Sequence, residues 1–71
     1  MTAAPVKHSL TLRGHRTSVS LEAEFWTAFR AIADERGLAV NELAAEIDAG
    51  RSANTGLASA IRVFVLRRYL P

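Results

Sequence analysis

Two periods of apolar and polar residues divide the chain. Arg16-Thr17-Ser18-Val19-Ser20-Leu21 alternates strictly, and in an extended strand side chains two apart share a face. Thr17, Val19 and Leu21 therefore line a face that can be buried. Arg16, Ser18 and Ser20 line the other, which carries one guanidinium and two hydroxyls. The same period runs over residues 7–12, where His8, Leu10 and Leu12 alternate with Lys7, Ser9 and Thr11. Arg13-Gly14-His15 reads as a turn between them, with Gly14 free to take a positive φ. A β-hairpin is expected at the front of the chain.

From residue 22 the period becomes helical. Phe25, Trp26, Phe29, Ile32 and Ala33 recur at helix spacing over 22–36. Glu22 and Glu24 suit the positive end of the helix dipole, Gly37 suits the position just past the end, and Ser20 is a competing cap. The aromatic residues are expected in the core. Val40, Leu43, Ala44 and Ile47 predict a second, shorter helix closed by Ala49-Gly50. Glu42 stands where a capping box places its acid, but Ala39 has no side-chain oxygen to complete the box. The amides at that helix start are left for water or an anion.

Residues 51–56 read as a loop in which Asn54 or Thr55 caps the next helix. That third helix, over 57–70, is apolar almost all round, with Leu57, Ile61, Phe64 and Val65 and also Val63, Leu66 and Leu70. Such a helix needs more than one neighbour, and a second chain is the expected cover. It is too short and too rich in arginine to span a bilayer, which takes about 20 apolar residues.

Composition sharpens this picture. Seventy-one residues make a single small domain, 1–71, with 1–6 expected to be a flexible terminus. A chain of this size buries only about 60% of its unfolded surface. Yet 49% of its residues are hydrophobic and none is cysteine, so disulfides and Cys-based zinc sites are excluded and association between chains is the expected source of stability. No apolar run of a secretory signal follows the N-terminal lysine, which predicts a cytoplasmic protein.

The net charge is only +2, but it is unevenly spread. Residues 1–21 hold Lys7, Arg13, Arg16, His8 and His15 with no acid, whereas all seven acids lie between Glu22 and Asp48. A basic arm beside an acidic middle predicts a polyanionic partner. Arg62, Arg67 and Arg68 are expected to form a solvated face near a helix C-terminus. His8 and His15 are expected to be exposed, with no metal site and no cofactor. An enzyme is not expected, because there is no glycine-rich phosphate loop, no cysteine, no nucleophile elbow and no paired His and acid at a recognisable spacing.

A strand reading Arg16-Thr17-Ser18-Val19-Ser20-Leu21, a helix, and then Glu35-Arg36-Gly37-Leu38-Ala39-Val40-Asn41-Glu42 resembles the ribbon-helix-helix proteins of bacteria, the Arc/MetJ superfamily. The resemblance covers roughly residues 16–47, and more loosely the helix from Leu57. It implies a mainly α fold with a short β element: strand or strands followed by three helical segments, in an intertwined homodimer. Strands of two chains would pair antiparallel into a ribbon that enters the major groove, a mode for which the groove is wide enough. Arg16, Ser18 and Ser20 match the family's base-contacting positions, and Arg16 suits bidentate donation to guanine. The amides of Ala39, Val40 and Asn41 match its phosphate clamp, with Lys7 and Arg13 as further phosphate contacts. The implied dimer core is Val19, Leu21, Phe25, Phe29, Ile32, Leu43, Ile47, Ile61, Phe64 and Val65.

Three departures accompany the resemblance. Ala39 stands where the family favours Ser or Thr, and the second helix is interrupted at Asp48-Ala49-Gly50-Arg51 as in a variant branch. The third is the extra strand over 7–12. If it pairs with 16–20 in both chains, the ribbon becomes a four-stranded sheet whose outer strands lie about 14 Å apart, against a groove about 12 Å wide. The expected function is a sequence-specific DNA-binding transcriptional regulator, a repressor, acting on double-stranded DNA as a homodimer or higher oligomer. The alternative is a protein-interaction or assembly module, antitoxin-like included, that keeps the dimer core without reading DNA. Antitoxins usually carry a long tail past the last helix, which makes that version the less expected one.

Overall fold

In a computed structural model that describes residues 4–71, Arg13 and Gly14 both adopt positive φ, 51° and 86°. That sign pattern is the one a two-residue type I′ hairpin loop requires. It joins β1 (Val6–Leu12) to β2 (His15–Leu21) in an antiparallel pair. The turn is thus one residue shorter than the sequence predicts, His15 belongs to β2, and the register runs from Leu12 opposite His15 to Val6 opposite Leu21. Val6 extends the first strand by one residue into the expected flexible end, of which 1–3 lie outside the described residues.

Three helices follow: α1 (Ala23–Glu35), α2 (Val40–Gly50) and α3 (Leu57–Tyr69). α1 ends where Gly37 takes a φ of 68°, and the amides of Gly37 and Leu38 donate back to the carbonyls of Asp34 and Ala33. This is the paired bonding of a glycine-terminated helix, completed by Leu38 packing on the core. The caps differ from expectation at two helices. Glu22, not Ser20, is the N-cap of α1, and Gly56, not Asn54 or Thr55, is the N-cap of α3. Neither gives a side-chain cap bond; Thr55 is instead turned onto Ser52 within the loop, its hydroxyl 2.9 Å from that of Ser52.

One face of the hairpin closes over the helices. Leu10 and Leu12 of β1 and Val19 and Leu21 of β2 are buried against Phe29, Ile32 and Ala33 of α1, Leu43 and Ala44 of α2, and Ile61 and Val65 of α3. Burial of each larger side chain contributes about 1.5–3 kcal/mol relative to exposure. Of the apolar residues expected inside, Phe25, Ile47 and Phe64 are half-buried against this core. Leu10, Leu12, Ala33 and Ala44 complete it. β1 is pinned over α2 by the Thr11 amide, which donates to Asn41 Oδ1 at 3.1 Å.

His8 is not the exposed histidine that the sequence suggests. It is half-buried on the inner face of β1 and stacks on the Trp26 ring at 3.8 Å, the planes 7° apart. Arg62 likewise leaves the solvated face. Its Nε donates to Glu22 Oε1 at 2.9 Å and its Nη2 to the carbonyl of Ser20 at 3.2 Å, so α3 is tied to the end of β2 and the start of α1. Among the described residues no helix is long and apolar enough to cross a membrane.

Candidate nucleic-acid interface

The alternation that buries Leu10, Leu12, Val19 and Leu21 presents the other half of each strand to solvent. The register sets Lys7 opposite Ser20, Ser9 opposite Ser18 and Thr11 opposite Arg16, and all six side chains are exposed. The outer face of the hairpin therefore holds two cations, four hydroxyls and no acid. Arg16, Ser18 and Ser20 stand together as the sequence indicates. Ser9 and Thr11 join them from β1. Their place follows from the two-residue turn, the only signal that fixes which residues of the two strands share a cross-strand position.

The strand edges differ as much as the faces. In a two-residue hairpin the residues flanking the loop exchange ladder bonds, and every second pair after them does the same. Leu12 with His15, Leu10 with Thr17 and His8 with Val19 are then the bonded pairs. The backbone N–H and C=O groups of Lys7, Ser9 and Thr11 point off one edge, those of Arg16, Ser18 and Ser20 off the other. Two observed contacts agree with this parity, the Thr11 amide on Asn41 and the Ser20 carbonyl on Arg62. α2 covers the β1 edge at Thr11, while the β2 edge is open from Arg16 to the amide of Ser20.

The start of α2 lies beside the Thr11–Arg16 end of the hairpin, because Asn41 is its second residue and holds Thr11. The Ala39 amide, expected to be available to an anion, donates to Glu42 Oε1 at 2.8 Å. Half a capping box thus forms without any side-chain oxygen on Ala39. The amides of Val40 and Asn41 have no protein acceptor among the described residues and remain directed out of the helix end. Arg13 sits at the tip of the same hairpin end, and Lys7 lies at the opposite end of β1. The electrostatics follow from these placements: the outer face is positive, and the nearest acid at the α2 start is Glu42, held by the backbone.

Glu22 lies below the other end of the face. The Arg62 guanidinium bonded to it holds its carboxyl below the usual glutamate value of 4.5, with a smaller contribution from its own backbone amide. No group of three or more His, Asp or Glu side chains suited to a metal ion occurs among the described residues.

Compared with curated proteins and with solved structures, the chain matches none. Compared with family models, it matches the ribbon-helix-helix domain over residues 5–69. That span includes both strands and all three helices. The chain belongs to the ribbon-helix-helix family.

Proposed function

We propose that the chain is a homodimeric, sequence-specific DNA-binding transcriptional regulator, a repressor, that reads the major groove with Arg16, Ser18 and Ser20. At the level of the family, a ribbon-helix-helix domain supports a DNA-binding or regulatory role and is typically not enzymatic. The observation that carries the finer reading is the outer hairpin face, six exposed polar side chains with two cations and no acid, set rigidly over a buried core.

The open edge of β2 supports how two chains would combine. An exposed strand edge is a template for another strand, and antiparallel pairing of β2 with its counterpart sets the two copies of Arg16, Ser18 and Ser20 side by side at the centre of a four-stranded sheet. The outer strands then lie about 14 Å apart, wider than the groove of about 12 Å, so they must bend away from it. Sheet twist turns them away from the groove floor. β2 reaches base edges, and β1 brings Lys7 to the phosphate rims. Arg13 and the amides of Val40 and Asn41 serve the phosphates beside the turn, joined by Ala39 once Glu42 releases its amide.

The test is fluorescence anisotropy on DNA from upstream of the gene, against scrambled competitor, at two salt concentrations. Preference for the native sequence is expected to survive the higher salt. Arg16→Ala is expected to cost about 1–3 kcal/mol and to relax specificity at one base position, whereas Lys7→Ala weakens all sequences alike and lowers the salt slope by about 1. Unchanged specificity in the Arg16 variant would remove that residue from the reading face. A dimer that ignores DNA at both salt concentrations would favour the second reading, a protein-interaction or assembly module. The width of the doubled sheet and the acid at the start of α2 speak for it.

A further inference from the structure

On the side of α2 away from the hairpin, α2 and α3 leave a groove that is open to solvent. Asn41 and Asp48, seven residues apart, face β1 and the turn end of the sheet. Leu43, Glu46, Ile47 and Gly50 lie half a turn round the helix, and all four line the groove. Ala60, Val63, Phe64 and Arg67 of α3 form its other wall, and Arg36 at the end of α1 closes one end. From Leu43 to Gly50 the groove runs about 10 Å, two helical turns.

Charge and space together describe an occupant. Arg51 is already committed to Asp48 at 2.7 Å and to the carbonyl of Thr55. Arg36 and Arg67 have no carboxylate within ion-pair distance among the described residues, and the Arg36 guanidinium lies 5.1 Å from the centre of the Phe64 ring, over the apolar floor. Three arginines thus line the groove against one acid, Glu46. Gly50 is the last residue of α2 and has no positive φ that would call for glycine. A methyl group built there meets nothing within 4 Å, so the wall is open where a partner backbone would approach.

We infer that this groove docks an amphipathic helix of a partner protein, its apolar ridge on the half-buried Ile47 and Phe64 and its flanking carboxylates on Arg36 and Arg67. A two-turn, one-sided groove suits a helix bearing apolar residues at i, i+3 or i+4, and i+7. It does not suit a small molecule, which a binding site encloses over most of its surface. The groove faces away from Arg16, Ser18 and Ser20, so its occupant and a ligand of the hairpin bind without competing. The inference stands whether or not the hairpin reads DNA.

The experiment uses the full chain labelled with ¹⁵N and two synthetic helical peptides. Both carry leucines at i, i+3, i+4 and i+7; one is flanked by glutamates, the other by lysines. The acidic peptide is expected to shift the resonances of Gly50, Ile47, Phe64 and Arg67, and to bind about tenfold tighter than the basic one at low salt. Arg67→Glu should abolish that preference, and Gly50→Leu, which fills open space, should block binding with the far-UV circular dichroism unchanged. Equal affinity for both peptides, or shifts confined to the hairpin, would overturn the proposal. So would two other results: shifts in these residues that depend on protein concentration alone, which would assign the groove to a second copy, or shifts with decanoate and with neither peptide, which would assign it to a small amphiphile.

Discussion

At the hairpin tip a single side chain is held against its own backbone preference. Arg13 has a φ of 51°, a region that costs a non-glycine residue roughly 1–2 kcal/mol and that asparagine tolerates best. Type I′ loops favour Asn-Gly for that reason. In the proposed function Arg13 is a phosphate contact. Arg13→Asn is expected to stabilise the chain by about 0.5–1 kcal/mol in urea unfolding and to weaken DNA binding equally for all sequences. Gly14→Ala should destabilise by about 1 kcal/mol; because nothing lies within 4 Å of the added methyl, the loss measures backbone strain net of the entropy removed from the unfolded chain. An Arg13→Asn chain no more stable than the parent would show that the tip is unstrained. The same residue explains a misread turn. Arg-Gly is not the usual I′ pair, so the sequence favours a longer turn through His15, and Ser9 and Thr11 cannot be assigned their partners Ser18 and Arg16 until the loop length is known.

Among the elements, the joint between β2, α1 and α3, packed through Leu21, Phe29 and Ile61, is also spanned by one ion pair. Arg62 in α3 meets Glu22 at the head of α1 and the carbonyl of Ser20 at the end of β2, and Glu22 keeps only 24% of its side-chain surface exposed. The Arg62 hydrogen bond lowers the carboxyl pKa, so the folded chain binds a proton less readily than the unfolded chain does. The pair's contribution is therefore fully present above the usual value of 4.5 and is lost as the pH falls through the lower value of the folded state. Urea midpoints measured at about pH 7 and about pH 3 should fall less in Glu22→Gln than in the parent. Equal falls would mean that the pair is not formed in solution. Helix α1 itself is legible from Phe25, Phe29, Ile32 and Gly37, since a 3.6-residue period and a glycine stop are local signals. The Glu22–Arg62 contact joins residues 40 apart, and no period records which arginine of a helix turns toward a strand. For the same reason Arg62, Arg67 and Arg68 look alike in sequence, yet Arg68 meets Glu35 at 3.1 Å while Arg67 stands beside the groove.

For the whole molecule, the core closes within one chain but leaves α3 half covered. Ile61 and Val65 are buried, whereas Val63, Leu66 and Leu70 are 46, 53 and 56% exposed. These three form an apolar stripe at spacings of three and four residues, the seam of a helix that packs along another helix. Four residues before Val63 the stripe ends at Ser59, small and exposed, which lets a neighbouring helix approach closely. Arg62, on the adjoining side of α3, reaches the Ser20 carbonyl at the β2 edge, which brings α3 to the end of that edge. A two-fold axis through the stripe and the edge would pair β2 with its copy and α3 with its copy together, each contact being made twice by symmetry. Leu66→Glu leaves the core of one chain intact and puts a carboxylate at the middle of the stripe. If the proposed dimer forms through this surface, the variant should retain the far-UV circular dichroism, sediment as a monomer where the parent sediments as two copies, and bind DNA more weakly than Arg16→Ala does, because it removes one whole reading strand where Arg16→Ala removes one side chain from each. A Leu66→Glu chain that stays dimeric would move the interface off α3 and leave the β2 edge to hold two copies by backbone bonds alone, which an isolated strand pair does only marginally in water.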